Sequence, residues 1–445
     1  MQTDMTVGKP MKMILDFTIP VFIGNVFQQF YNMADAIIVG KFVGTKGLAA
    51  VGSTGTIMFL IIGFLTGLTA GFTVLTSQKF GAGKMDEMRQ SVGNAALLSI
   101  IISVIMTAVS MVGMHSLLTL MHTPEDIFQD AYIYIMIICG GIFAQVLYNI
   151  LASILRALGN SKVPLYFLIL SAMLNIVLDP IFIYVFGMGV KGAALATIIS
   201  QGVSCLWVLK FLTGKKTVLK IRLKNLVLDG KIVTSVLSLG VSPFIMQATE
   251  CLIQLTFNNG MLKYGNDLYV ALMSILFSLT QLIWMPLNGF SQGAQPVIGY
   301  NYGAKRFDRV KKAFKLQFTV SICFSLFAVA LVEVFPTAFL KMFTNDQELI
   351  DIGINSTRLF LAGMSVMGAQ CACQQTFLAL GEAKISMFLA CLRKIILLFP
   401  LALILPNIAN MGVWGLLLAE PVSDVVAASC TTIMFTIRSR KVLKQ

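Results

Sequence analysis

The residues of this sequence best placed to do chemistry are carboxylates set deep inside apolar stretches. They are Asp16, Asp35, Asp130, Asp179, Glu250, Glu333, Glu420 and Asp424. An ionisable side chain at membrane depth is costly and marks a functional candidate. Asp16, Asp130 and Glu333 lie near the ends of their stretches, within reach of polar headgroups, and read as structural. Asp35 sits near the outer end of the stretch 13–39. Asp179 lies about two helical turns before the end of 163–187, and Thr197 about two turns after the start of 190–212. These positions differ in depth by only a few ångströms. Asn175 is one turn from Asp179 on the same helical face. Two carboxylates, an amide and a hydroxyl thus converge. Such a set suits a proton, or a sodium ion held by several oxygens. Two close carboxylates in low dielectric cannot both stay charged cheaply, so a shared proton is expected. The plainer reading is a hydrogen-bonded network that stabilises helix packing.

The other acids are less clear. Glu250 lies near the middle of its stretch, where a lone carboxylate is hardest to tolerate; it reads as a cation or cationic-substrate ligand, or as a satisfied packing carboxylate. Asp424 lies near the depth of Lys394, which makes an intramembrane ion pair the simplest account. Glu420, one turn from Asp424, stays open. Gln370, Gln374 and Gln375 offer neutral hydrogen bonds to a solute or, more simply, polar glue between helices. Some of the 25 Met and 32 Phe residues are candidates to line an adaptable cavity; most must be core or face lipid.

Other chemistries fit poorly. The only histidines, His115 and His122, fall near one outer loop, which leaves little for a His-based metal or catalytic site. All eight cysteines fall inside apolar stretches and read as small buried hydrophobes rather than a disulfide framework. The stretch KFGAGKMD from Lys79 resembles a phosphate-binding loop only superficially. A glycine is missing at Gln78, and Met85 stands where a hydroxyl should be.

That stretch has a second copy, NYGAKRFD from Asn301, at an offset of 222 residues (Phe80 to Tyr302). ALGNSK from Ala157 recurs as ALGEAK from Ala379, and GVKGAALA from Gly189 as GVWGLLLA from Gly412. Pro20 matches Pro243, and Gly44 matches Gly265. These matches keep one order and one offset to within a residue, so the 445-residue chain is a duplication. The halves have diverged in their acids. The counterparts of Asp35 and Asp179 fall among Phe257, Asn258, Leu401 and Ala402, while Thr197 corresponds to Glu420.

The elements that must position these residues are membrane helices. Hydrophobic residues make up 57% of the chain and charged residues 12%, outside the ordinary soluble range. Stretches long enough to cross about 30 Å of hydrocarbon recur at 13–39, 48–77, 90–113, 127–153, 163–187, 190–212, 233–262, 267–297, 313–336, 352–378, 386–408 and 413–437. The net charge of +13 is not that of a nucleic-acid binder, because its placement follows the membrane. With the N-terminus inside, only Lys41, Lys46, Lys191, Lys263 and Lys341 fall outside, and Arg358, Arg393 and Lys394 within spans. The rest of the 33 lysines and arginines face the cytoplasm. No cleavable signal is expected, since the first apolar stretch runs on past Asp35 without a small-residue cleavage site.

The expected fold is an all-α integral membrane protein of twelve transmembrane helices in two six-helix lobes. The lobes are related by a pseudo-two-fold axis along the membrane normal, with a cavity between them. The expected divisions are 1–214 for the N-terminal lobe, 215–232 for a basic cytoplasmic linker and 233–445 for the C-terminal lobe. The two GA-K/R loops fall on the cytoplasmic side as tight structural turns.

With these residues in place, the chain resembles the multidrug and toxic compound extrusion (MATE) family along its full length. The likeness runs from IPVFIGNVFQQFYNMADAIIVG through both halves. Its most specific carriers are Asp35 after the first-span Pro20, the N-x-x-x-D pair Asn175 and Asp179, and Thr197 within GVKGAALAT. The resemblance implies a non-enzymatic secondary transporter of the bacterial inner membrane with both termini cytoplasmic. It would export organic, cationic amphipathic compounds by antiport with protons or sodium through alternating access. It further implies a coupling-ion site at Asp35, Asn175, Asp179 and Thr197, which would also hold sodium, with Pro20 as a hinge. Glu250, Gln370, Gln374 and Glu420 are then candidates for substrate or second-lobe cation binding. Glu250 matches a second-lobe acid used for sodium coupling in some members, but 352–378 lacks the acid those members place there. No cofactor is expected; the partners are drug-like organic cations and membrane lipids, not nucleic acid, and the chain is expected to act as a monomer. A lipid or lipid-linked oligosaccharide flippase of the same wider superfamily is the alternative. A cavity rich in basic residues would favour it, and only Arg358, Arg393 and Lys394 lie within spans. A membrane enzyme or a channel is disfavoured, since no HExxH, GxSxG or repeated pore loop occurs.

Overall fold

A computed structural model describes residues 5–121, 123–213, 225 and 227–443, with the side chain of Thr56 excepted. His122 and most of the expected basic linker (214–224 and 226) lie outside the described residues. Helices account for almost all of the described chain, and no strand occurs within it. Lipid offers no hydrogen bonds to exposed backbone, so an apolar chain of this kind must satisfy its peptide groups within helices.

The first half comprises α1 (Pro10–Phe42), α2 (Thr45–Ser53), α3 (Gly55–Gly81), α4 (Met85–Leu120), α5 (Glu125–Gly140), α6 (Ile142–Ala157), α7 (Lys162–Pro180) and α8 (Val190–Thr213). The second comprises α9 (Gly230–Tyr264), α10 (Asp267–Gly303), α11 (Phe307–Val334), α12 (Pro336–Lys341), α13 (Gln347–Leu361), α14 (Met364–Ala379), α15 (Ala383–Cys391), α16 (Phe399–Ile404) and α17 (Val413–Val442). Among the described residues, ten helical segments are long and apolar enough to cross a membrane, and α5 with α6, bent by 49°, makes an eleventh. The stretch expected at 352–378 is α13 followed by α14 across a break at Ala362 and Gly363.

Two of these spans carry a π-helical segment. Residues Ile181–Val185 follow α7 directly after Pro180, and Leu392–Leu398 join α15 to α16. Pro180 cannot donate a backbone hydrogen bond to the preceding turn, which accounts for the loosened winding beyond it. Such segments recur at functional sites.

The repeated motifs have local reasons. At KFGAGK and NYGAKR the helix ends in the same cap. Lys84 N–H donates to Lys79 O at 3.1 Å, and Arg306 N–H to Asn301 O at 2.9 Å, across a residue in the left-handed region, Gly83 or Lys305. The loop is a helix stop, not a phosphate cradle. In the GVKGAALA and GVWGLLLA repeats, the second glycine lies against the end of the preceding span. A Cβ on Gly192 would lie 2.8 Å from the Phe182 carbonyl carbon, and one on Gly415 2.6 Å from Leu405 O. Phe182 and Leu405 are themselves related by the repeat.

The chain forms two compact units, one of residues 1–7 and 19–240, the other of 8–18 and 241–445. The breaks after Thr18 and Gly240 are related by the repeat offset and lie just before Pro20 and Pro243. In the first unit, the start of α9 packs on α3, where a Cβ on Gly71 would run into Val236 O. Asn94 fixes the segment that leads into α9, donating to Val227 O at 2.9 Å and accepting from Asp229 N–H at 2.8 Å. In the second unit, the start of α1 packs on α10, where Gly293 meets Thr18. Arg309 on α11 donates to Gly8 O at 2.9 Å.

Candidate functional site

The first unit brings together Asp35, Asn175, Asp179 and Thr197. Asp35 lies two turns from the end of α1, Asn175 and Asp179 share one face of α7, and Thr197 lies two turns into α8. Asn175 Nδ2 is 3.3 Å from Asp179 Oδ1 and 3.3 Å from Thr197 Oγ1, its donor geometry serving both. The carboxyl groups of Asp35 and Asp179 lie within hydrogen-bonding reach of each other. Asp179 and Asn175 are fully buried, while Asp35 is half-buried and forms the more open side of the cluster.

Two tyrosines complete the group. The Tyr31 hydroxyl is 3.2 Å from Thr197 Oγ1. Tyr134 on α5 is buried within electrostatic range of Tyr31, Asp35 and Asp179. Tyr31 had a sequence signal, since it precedes Asp35 by one turn on the same face. Tyr134 had none, because no depth or spacing links α5 to the acids.

Three oxygens of the cluster, Asp35 Oδ1, Asn175 Oδ1 and Asp179 Oδ2, are buried without a hydrogen-bond partner. Orphaned buried oxygens are rare and need an explanation. An all-oxygen donor set with two carboxylates fits a proton or a small monovalent cation. Among the described residues no group of three or more His, Cys, Asp and Glu could hold a metal ion.

The second unit differs from its sequence reading. Glu250 on α9 is not alone: Lys394 Nζ lies 2.9 Å from its Oε2. Asp424 takes its cation from Arg393, whose Nε donates to Oδ1 at 2.8 Å, and not from Lys394. Arg393 Nη2 reaches Glu420 Oε1 at 3.3 Å. Depth arithmetic could not anticipate this pairing. It ignores direction around the helix axis, and the π-helical turn at Leu392–Leu398 changes that direction for the two adjacent cations. Gln374 donates to Ser386 O at 2.9 Å and lies 3.2 Å from Ser242 Oγ, which joins α14, α15 and α9 as polar glue. Gln370 is buried with Oε1 unpartnered. At the end of α11, Arg358 Nε donates to the Glu333 carbonyl at 3.1 Å, with the Glu333 carboxylate 3.9 Å away. Pro20 lies inside an unbroken α1.

Comparison with known proteins gives a consistent picture. The MatE family model matches residues 20–181 and 243–404, two blocks that begin at Pro20 and Pro243. The probable multidrug resistance protein YoeA of Bacillus subtilis is 26% identical over 76% of this chain and 74% of its own. The multidrug export protein MepA of Staphylococcus saprophyticus is 22% identical over 96% of this chain and 94% of its own. A crystal structure of MATE in the bent conformation has a TM-score of 0.93 at 26% identity, covering 98% of this chain and 97% of that one.

Proposed function

Given that the chain belongs to the MatE family of membrane transporters, we propose that it exports organic cations by antiport, with the cluster around Asp35 and Asp179 holding the coupling ion. The observation that carries the proposal is the set of three buried, unpartnered oxygens on two facing carboxylates and an amide. A proton or sodium ion is the cargo such a group is built to take, and its binding removes the repulsion between the acids. Asp35 lies on α1, so the change is felt along the helix that passes through Pro20. There the missing backbone N–H weakens the helical bonding and favours a bend. The ion drives this change only as far as its affinity for the two states differs. The site belongs to a multi-pass protein that we place in the bacterial inner membrane with both termini cytoplasmic, acting on drug-like cations.

The flippase alternative draws no support from the basic residues. Arg393, Lys394 and Arg358 each sit against a carboxylate rather than standing free for an anionic headgroup. The test is transport in proteoliposomes of the purified protein, with an imposed proton or sodium gradient and a panel of organic cations. Asp35→Asn and Asp179→Asn mimic neutralisation, so each is expected to lower gradient-driven export at least tenfold with membrane insertion intact. Wild-type rates in both variants exclude the site. Export of a lipid-linked sugar but of no organic cation replaces this reading with the flippase.

A further inference from the structure

The second unit repeats the helices that carry the first cluster and fills them with a different balance of charge. By the repeat offset, α1 corresponds to α9, α7 to the span from α15 through α16, and α8 to α17. In the first unit these helices bring two carboxylates together with, among the described residues, no lysine or arginine in an ion pair with either; Asp35 Oδ1 and Asp179 Oδ2 are unpartnered, as are Glu420 Oε2 and Asp424 Oδ2 in the second unit. In the second unit they bring Glu250, Glu420 and Asp424, and the central span adds Arg393 and Lys394.

The cations are not interchangeable. Arg393 is committed to Asp424 and Glu420, its planar group reaching both. Lys394 makes its ion pair with Glu250, as a compact point charge 2.9 Å from one oxygen, and lies within electrostatic range of Glu420. The Lys394 side chain is 6% exposed and that of Glu250 21%, so Glu250 is the less enclosed partner of the pair. Adjacent residues on an α-helix point about 100° apart. The π-helical turn alters that angle and lets both cations meet acids of the interior.

We infer that Lys394 is a tethered counterion, its ammonium taking on Glu250 the position a diffusible monovalent cation would otherwise occupy. The second unit thereby supplies its own cation. The choice between ion-binding and ion-independent behaviour at this site rests on one side chain, and removing the ammonium leaves a half-buried carboxylate without its counterion, which recruits sodium from solution. This inference does not depend on ion coupling in the first unit.

The experiment compares thermal unfolding of the purified full-length protein in sodium chloride and in choline chloride at equal ionic strength. Lys394→Met is expected to gain a sodium-specific rise in Tm beyond any shown by wild type. The double variant Lys394→Met with Glu250→Gln, which has neither charge, is expected to lose that gain. The inference is overturned if Lys394→Met shows no excess sodium effect, or if the double variant keeps it. It is also overturned if Lys394→Met fails to fold in sodium while the double variant folds, because then no diffusible cation takes the ammonium's place. Unfolding is read without transport, so a failure here is distinct from a failure of the antiport reading.

Discussion

Arg393 serves two carboxylates in an almost fully buried setting, its side chain 8% exposed and Asp424 wholly covered. Breaking a buried pair by removing one partner leaves an uncompensated charge, at a cost of about 3–5 kcal/mol. Arg393→Met is therefore expected to lower unfolding stability by that order, and adding both Asp424→Asn and Glu420→Gln to recover most of it. A loss below about 1 kcal/mol, the range of exposed pairs, would show that water reaches the network. The contrast with Asp35 and Asp179 bears on how far residues can be read from sequence. Asp35, Asn175, Asp179 and Thr197 were legible because their depths agree and because Asn175 and Asp179 share a face. The partner of Glu250 was not, since depth gives no direction around a helix and the winding changes at Leu392. Tyr134 was invisible for the same reason: only the packing of α5 beside α8 brings it near the acids.

Helices meet closely where a missing side chain lets them. Gly192 and Gly415 occupy equivalent points of α8 and α17, and each lies against backbone rather than the tip of a flexible side chain. Backbone cannot step aside as a side chain can, so a Cβ there must move a whole helix. For Gly192 the helix moved is α8, which carries Thr197; for Gly415 it is α17, which carries Glu420 and Asp424. Gly192→Val and Gly415→Val are expected to reduce the yield of folded protein severely and to lower Tm in whatever is recovered. Gly202→Ala on the same α8 is the control, because nothing lies within 4 Å of its added Cβ. Alanine there should leave Tm unchanged or raise it slightly, since Gly costs a helix about 1 kcal/mol relative to Ala. Equal effects at Gly202 and Gly192 would mean that helix propensity, not close approach, governs both. The repeats at 189–196 and 412–419 were readable as a duplication; that their second glycines are packing points needed the contact with Phe182 and Leu405.

At the scale of the whole chain, the duplication accounts for the helices but not for which compact unit each joins. The first turns of α1 pack with the second unit and those of α9 with the first. Contiguous lobes are the natural expectation from a repeat, because sequence order gives no sign that a helix changes partners partway along. The positions where it does so, beside Pro20 and Pro243, were visible only as matched prolines. Orientation in the membrane follows from a parity argument. An even number of spans per half returns the chain to the side it left, so equivalent loops of the two halves must face the same compartment. Lys84 and Lys305 are equivalent in place, within one residue, at the two GA turns, and both are exposed; Lys46, on α2 in the loop after the first span, is exposed too. On a background lacking the eight native cysteines, single cysteines at these positions report the orientation to a membrane-impermeant maleimide on intact cells. Lys46→Cys is expected to label, and Lys84→Cys and Lys305→Cys to stay unlabelled until the membrane is opened. If Lys84→Cys and Lys305→Cys label from opposite sides, the halves contain an odd number of spans and run antiparallel. The basic residues of those turns would then be divided between two compartments, against the charge asymmetry that orients such chains.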